Sequence, residues 1–247
     1  MKKAIRTILL IVCICVFCYS AYNLINIYLN YKKIDDDYGE LANTYTSVKD
    51  EKKEEQNYLQ IDWATLKERN NDVKAWIQIP DTNVNYPVLQ GETNDTYIHS
   101  DIDHQKLSAG SIFVDCRNEK PFEDFNTVIY GHNMTSGRMF GSLKKYKSKS
   151  YMQKHKYFFV HVKGVNGNTD EVLKYEIKNV CVVNLGSKIY TIQFGDNFTQ
   201  EDYINRYHGL FGNSLDKDKT ICTLSTCTNF GRQRLVVQGS LINRGVE

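Results

Sequence analysis

Cys227 ends the run Thr220-Ile221-Cys222-Thr223-Leu224-Ser225-Thr226-Cys227, and Arg232 and Arg234 follow it closely. A thiol beside guanidinium groups ionises more readily, and the thiolate is the species that attacks a carbonyl. The same guanidinium can stabilise the oxyanion created by that attack. Strand alternation puts Ile221, Thr223, Ser225 and Cys227 on one face and Cys222 and Leu224 on the other. The Cys227 face is mostly polar and suits a cleft. Cys222 shares its face with leucine and reads as a small core residue, as do Cys116 and Cys181. Arg232 and Arg234 are two apart on the last strand and share a face, so periodicity does not choose between them.

A cysteine nucleophile needs a proton-transfer partner. The leading candidate is His132, in Thr127-Val128-Ile129-Tyr130-Gly131-His132-Asn133, where an apolar strand breaks at glycine and presents an imidazole. His155 and His208 stand in charged or helical surroundings typical of a surface, and His161 lies inside a strand. The cluster His99-Ser100-Asp101-Ile102-Asp103-His104 has metal-ligating types, but Lys106 stands where a calcium loop needs its turn glycine. It reads as a polar loop, and no metal or cofactor is implied.

The elements that hold these residues follow from the rest of the chain. With 247 residues, 41% of them hydrophobic, it can bury a sizeable core. Its net charge of +2 comes from lysines and acids interleaved through most of the sequence, which gives no nucleic-acid footprint. The 7 cysteines form neither a disulfide framework nor a CxxC pair. Lys2, Lys3 and Arg6 precede an apolar stretch from Thr7 to Leu29, long enough to cross a bilayer as a helix, and Cys18-Tyr19-Ser20-Ala21-Tyr22 gives the rival reading, a cleaved signal peptide, only a poor small-x-small site. That pattern predicts an anchor over 1–30 with its N-terminus cytoplasmic and the remainder outside. Ile34 to Tyr58 reads as a spacer helix, and Asp62 caps a short helix from Trp63 to Arg69. The remaining segment, 71–247, reads as the catalytic domain. Short strands are expected at 75–79, 84–89, 111–114, 126–130, 157–162, 173–177 and 180–183, then the pair flanking Cys227, with a hairpin turn at 164–168. They suggest a closed antiparallel barrel. Thr199 to His208 reads as a helix inserted before the penultimate strand, with Thr199 as its N-cap.

Thr223-Leu224-Ser225-Thr226-Cys227, Tyr130-Gly131-His132-Asn133 and the arginine before Leu235-Val236-Val237 resemble the sortases, specifically class B, the membrane-anchored cysteine transpeptidases of Gram-positive bacteria. The resemblance extends through Asn83-Val84-Asn85-Tyr86-Pro87-Val88 and Gly110-Ser111-Ile112-Phe113-Val114-Asp115. It implies a mostly β fold, an eight-stranded sortase-type barrel with N-terminal helices. It makes Cys227 the nucleophile, His132 the general acid/base and Arg234 the oxyanion and substrate-orienting group, with Thr223, Ser225 and Thr226 available to hydrogen-bond substrate. The partners implied are secreted proteins with a C-terminal sorting signal, cleaved after threonine, and an amine of cell-wall precursor or a pilin subunit. Two other readings fit parts of the sequence. One is a papain-like cysteine hydrolase of wall peptides, which would place its histidine after its cysteine. The other is a membrane-tethered binding barrel with an incidental thiol.

Overall fold

The computed structural model describes residues 2–48, 59–164, 170–207, 209–212, 214–228 and 231–246. The chain divides into two compact units, Met1–Leu41 and Ala42–Glu247. A single helix, α1 (Lys2–Tyr45), carries the apolar N-terminal stretch and runs on through the first part of the expected spacer. It is long and apolar enough to cross a membrane. The expected spacer helix ends at Tyr45: residues 46–48 form a strand instead of continuing it, and 49–58, like the hairpin turn beyond Gly164, lie outside the described residues.

In the second unit, β1 (Thr46–Val48) pairs with β2 (Leu59–Ile61) and leads into α2 (Trp63–Arg69). Asp62 caps α2 as its sequence predicts, its carboxylate accepting from the Thr65 amide at 3.1 Å. Eight strands then build the barrel: β3 (Val73–Gln78), β4 (Asn85–Leu89), β5 (Ile112–Val114), β6 (Asn126–Tyr130), β7 (Tyr157–Val162), β8 (Glu171–Asn184), β9 (Ile221–Thr228) and β10 (Gln233–Val246). Their order is β10-β8-β7-β3-β4-β5-β6-β9, closed by β9 against β10. Each strand contributes to the core: Ile77, Val88, Ile112, Ile129, Val160, Tyr175, Leu224 and Val237 are all fully buried.

The barrel is mixed rather than antiparallel, because β4 pairs with β5, and β6 with β9, in parallel. Parallel neighbours need crossover connections. The β4–β5 crossover is the loop 90–111, and the β6–β9 crossover runs through β7 and β8. The two strands expected at 173–177 and 180–183 are one strand, β8. Asn179, which looks like a break, is buried within it and donates to Gln238 Oε1 at 2.6 Å across the sheet.

Between β8 and β9 lies the insertion, a 3-10 turn at Lys188–Tyr190 followed by α3 (Gln200–Arg206). Thr199 and Asp202 form a reciprocal capping box, and α3 ends at Arg206, short of His208, which lies outside the described residues. Ile189, Tyr203, Ile204 and Leu215 of the insertion pack on Ile221 of β9 and Val236 of β10. A row of buried polar groups runs across the barrel wall beneath it. Thr223 Oγ1 donates to Asn126 Oδ1 at 2.7 Å, and Gln238 Nε2 donates to Thr223 Oγ1 and the Tyr203 hydroxyl at 2.8 and 2.6 Å. Asn126 Nδ2 reaches the carbonyls of Ile189 and Thr191 at 3.2 and 2.9 Å. These bonds anchor the insertion on both sides of Tyr190.

Candidate active site

Three neighbouring strands bring the chemistry together. In the β9–β10 ladder Arg234 is the direct partner of Cys227, so their Cα atoms are within one strand spacing. In the β6–β9 ladder Tyr130 pairs with Ser225, and the Gly131 amide donates to the Ser225 carbonyl at 3.2 Å. His132 and Cys227 each stand two residues beyond that pair, so parallel register brings them side by side. Asn133 Nδ2 donates to the Cys227 carbonyl at 2.7 Å and fixes the nucleophile's backbone. His132, Cys227 and Arg234 line one cleft of about 170 Å³, together with Asn94, Ile98, Tyr130, Ser225 and Thr226. Arg232 is exposed in the β9–β10 connection and is not among the residues lining it.

His132 Nε2 lies 2.7 Å from the Ile98 carbonyl. A carbonyl only accepts, so Nε2 is the donor and carries hydrogen, and in the neutral ring the lone pair is on Nδ1. The Arg234 guanidinium donates through Nη1 to the carbonyls of Gly231 and Gln233 at 2.9 and 3.1 Å, which folds it back toward the loop after Cys227.

The wall of the cleft is set by groups to which the sequence pattern assigns no role. Asp115, at the end of β5, has a fully buried carboxylate that accepts from the Tyr130 hydroxyl at 2.8 Å and from Arg117 Nε and Nη2 at 2.9 and 2.7 Å. Burial alone would raise this carboxyl, but the bonds from Arg117 and Tyr130 outweigh it and hold Asp115 below the usual carboxylate range. Tyr130 is pushed up by burial and by the Asp115 charge, so it remains a neutral donor. Arg117 Nη2 also reaches the Tyr190 carbonyl at 3.3 Å, tying the insertion to the β5–β6 loop. The Tyr190 hydroxyl bonds Ser225 Oγ at 2.9 Å; burial pushes it up to about 12, opposed by the Ser225 bond and the nearby Arg234 charge.

The other thiols differ from Cys227 in surroundings. Cys222 is fully buried, and desolvation pushes its thiol far up. Burial pushes Cys181 up to about 11. Cys116 is half-buried rather than a core residue and lines a second groove of about 750 Å³ that shares Tyr130 with the cleft.

The polar face of β9 is not an open cleft wall along its length. Thr223 is buried in the polar row beneath the insertion, and its hydroxyl is engaged there, which removes it from contact with a ligand. Ser225 and Thr226 do line the cleft, and Thr226 Oγ1 has no partner among the described residues. The histidine-rich loop is organised internally. Asp101 Oδ1 accepts from the Asp103 and Gln105 amides at 2.9 and 2.8 Å, and Asp103 forms a bidentate pair with Arg69 at 2.8 and 2.6 Å.

A sortase-domain profile matches residues 77–242. Sortase B of Listeria monocytogenes is 35% identical over 189 residues, which is 72% of this chain and 73% of that protein. The structure of Bacillus anthracis sortase B in complex with AAEK1 aligns with a TM-score of 0.72 at 26% identity, covering 88% of this chain and 100% of that one. The Staphylococcus aureus sortase B–substrate complex aligns with a TM-score of 0.62 at 27% identity, covering 72% of this chain and 83% of that one.

Proposed function

Because the chain belongs to the sortase family, class B, and is therefore a cysteine transpeptidase of the cell wall, we propose that Cys227 is its nucleophile, His132 its general acid and base, and Arg234 its oxyanion donor. The observation that carries this reading is the register. Cys227 on β9 has Arg234 directly opposite on β10, and His132 extends β6 on its other side.

The substrate is a secreted protein with a C-terminal sorting signal. His132 takes the proton of the Cys227 thiol, the thiolate adds to the carbonyl carbon of the threonine, and Arg234 stabilises the tetrahedral oxyanion. The C–N bond then breaks, His132 protonates the departing amine, and a thioester remains on Cys227. An amine of a cell-wall precursor or a pilin subunit, deprotonated by His132, attacks the thioester, forming the new amide and releasing the thiolate. Ser225 and Thr226, which line the cleft beside Cys227, contact the bound peptide. The peptide continues past Tyr130 and Tyr190 into the adjoining groove.

The chain is divided in the same way: an anchor over 1–30, a spacer over 31–70 and the catalytic barrel over 71–247. The apolar part of α1 supports single-pass anchoring, and Lys2, Lys3 and Arg6 before it favour a cytoplasmic N-terminus with the barrel outside. Substrates leaving the secretion machinery then meet the enzyme at the same membrane.

The test uses the full chain in detergent micelles, a pool of internally quenched peptides with one fixed threonine and randomised flanks, and triglycine as the amine. Mass spectrometry should find the acyl fragment joined to triglycine. Free acid as the sole product would favour a hydrolase, and no cleavage of any pool member would contradict both.

A further inference from the structure

The loop 90–111 crosses from β4 to β5, and four successive carbonyls in it each accept a hydrogen bond, three from residues later in the loop and one from His132. The Tyr97 carbonyl accepts from the Ser111 amide at 3.0 Å, and the His99 carbonyl from the Leu107 amide at 2.9 Å. The Ser100 carbonyl accepts from Ser111 Oγ at 2.8 Å, and the Ile98 carbonyl accepts from His132 Nε2 at 2.7 Å. Gly110, at φ +55°, lies so close behind the Ile98 carbonyl that a Cβ there would come within 2.4 Å of its oxygen. The Tyr97 side chain anchors the start of the run: its hydroxyl donates to Asp72 Oδ2 at 2.7 Å and accepts from Asn70 Nδ2 at 2.9 Å. A backbone held at this many points has a fixed direction for its side chains. The one that follows Ile98 is His99, whose ring stacks on His132 with centroids 5.4 Å apart and 22° between planes.

Resting on the assignment of His132 as the acid and base, we propose that His99 is a positioning residue for His132. One hydrogen bond at Nε2 holds a point on the imidazole but leaves it free to rock about that bond, and the terminal torsion of histidine is intrinsically broad. A ring stacked against its face removes that freedom. With Nε2–H held by Ile98 and the face held by His99, Nδ1 is the nitrogen that exchanges the proton with the Cys227 thiol and with the leaving and incoming amines. The role requires a flat ring at position 99 and no proton chemistry from it. Placement of a catalytic group governs rate steeply, so a looser His132 lowers turnover and leaves substrate affinity nearly unchanged.

The experiment compares unaltered full chain, His99→Ala and His99→Phe in micelles, using the best-cleaved member of the peptide pool with triglycine. His99 is exposed, so neither change threatens the fold. The alanine variant should lose roughly two- to tenfold in kcat, the scale expected for one aromatic contact, with KM within about twofold. Phenylalanine should restore kcat to within about twofold. In parallel, ¹⁵N-histidine spectra should show the His132 Nε2–H signal sharp in the unaltered and phenylalanine chains and broadened in the alanine chain. Unchanged kcat in His99→Ala, a rise in KM alone, or a phenylalanine variant as slow as alanine would overturn the proposal. If the unaltered chain turned over no peptide, the transpeptidase assignment would fail, and the His132 signal would by itself decide whether His99 holds the ring.

Discussion

Replacing Arg234 by alanine tests the pairing of guanidinium and nucleophile. Arg234 is the direct cross-strand partner of Cys227, whereas Arg232 is exposed in the connection between the strands. Loss of a single preorganised oxyanion donor costs about 2.7–4 kcal/mol, or roughly 10²–10³ in rate. In the free enzyme the guanidinium donates to the carbonyls of Gly231 and Gln233, so meeting an oxyanion means giving up bonds worth about 1 kcal/mol each. Giving up both leaves a net of about 0.7–2 kcal/mol, so the loss in kcat/KM for Arg234→Ala should be about 3- to 30-fold, and Arg232→Ala should stay within about twofold. Lysine at 234 keeps the charge but not the planar fork and should lie between. Steady-state rates of peptide cleavage measure all three. Because the Arg234 charge lowers Tyr190, the alanine variant should also shift Tyr190 upward in an ultraviolet titration. Equal losses at 232 and 234, or a near-silent Arg234→Ala, would refute the reasoning.

Further expectations concern the groups that shape the cleft. The folded-state pKa of Asp115 is depressed, so its contribution to stability is complete above the unfolded value of about 4 and is lost as pH falls through the lower folded value. Asp115→Asn should lower stability by about 1–3 kcal/mol at neutral pH and flatten the fall in Tm between roughly pH 5 and 2.5, and an acid slope as steep as that of the unaltered chain would argue against it. Tyr203→Phe removes the hydroxyl that donates to the Ile189 carbonyl and accepts from Gln238 and Asn126; a loss of about 1–3 kcal/mol, or roughly 3–8 °C in Tm, should appear by calorimetry. Gly110→Ala puts a Cβ against the Ile98 carbonyl at a positive φ, so it should lower stability by about 1–3 kcal/mol and also slow turnover by displacing the acceptor for His132. A loss of Tm with unchanged kcat would separate that carbonyl from catalysis.

The parts of this site that sequence reveals are those with local signatures. Cys227 and His132 stand where alternating strands end, and a thiol and an imidazole at such ends are conspicuous. Local spacing could not separate Arg232 from Arg234, since both share a face; the ladder distinguishes them, and a ladder is a relation between strands. The same limit explains the parallel pairings. Alternation shows which side chains share a face, while neighbour direction depends on crossovers such as the loop 90–111. Composition misled in two places. Thr223 and Asn179 look like exposed or strand-breaking residues, yet each is buried because the strands alongside or the insertion above supply its partners. Ile98, His99, Arg117 and Tyr190 shape the cleft through contacts such as Ile98 to His132 and Arg117 to Tyr190, far apart in sequence and outside any motif, and Asp115 ends a motif that does not reveal its bond to Tyr130. The one local signal was the aspartates and histidines around Asp101, whose side chains build the turn that holds the loop.

The central claim is that Cys227 carries the acyl group between the two halves of the reaction. Intact-mass measurement of the full chain, quenched with acid after brief exposure to a cleaved peptide without amine, tests this directly. The account predicts one added acyl fragment that maps to Cys227, disappears when triglycine is added, is absent from Cys227→Ala and persists in Cys222→Ala. An adduct on another residue, or amide product formed at normal rate by Cys227→Ala, would contradict it.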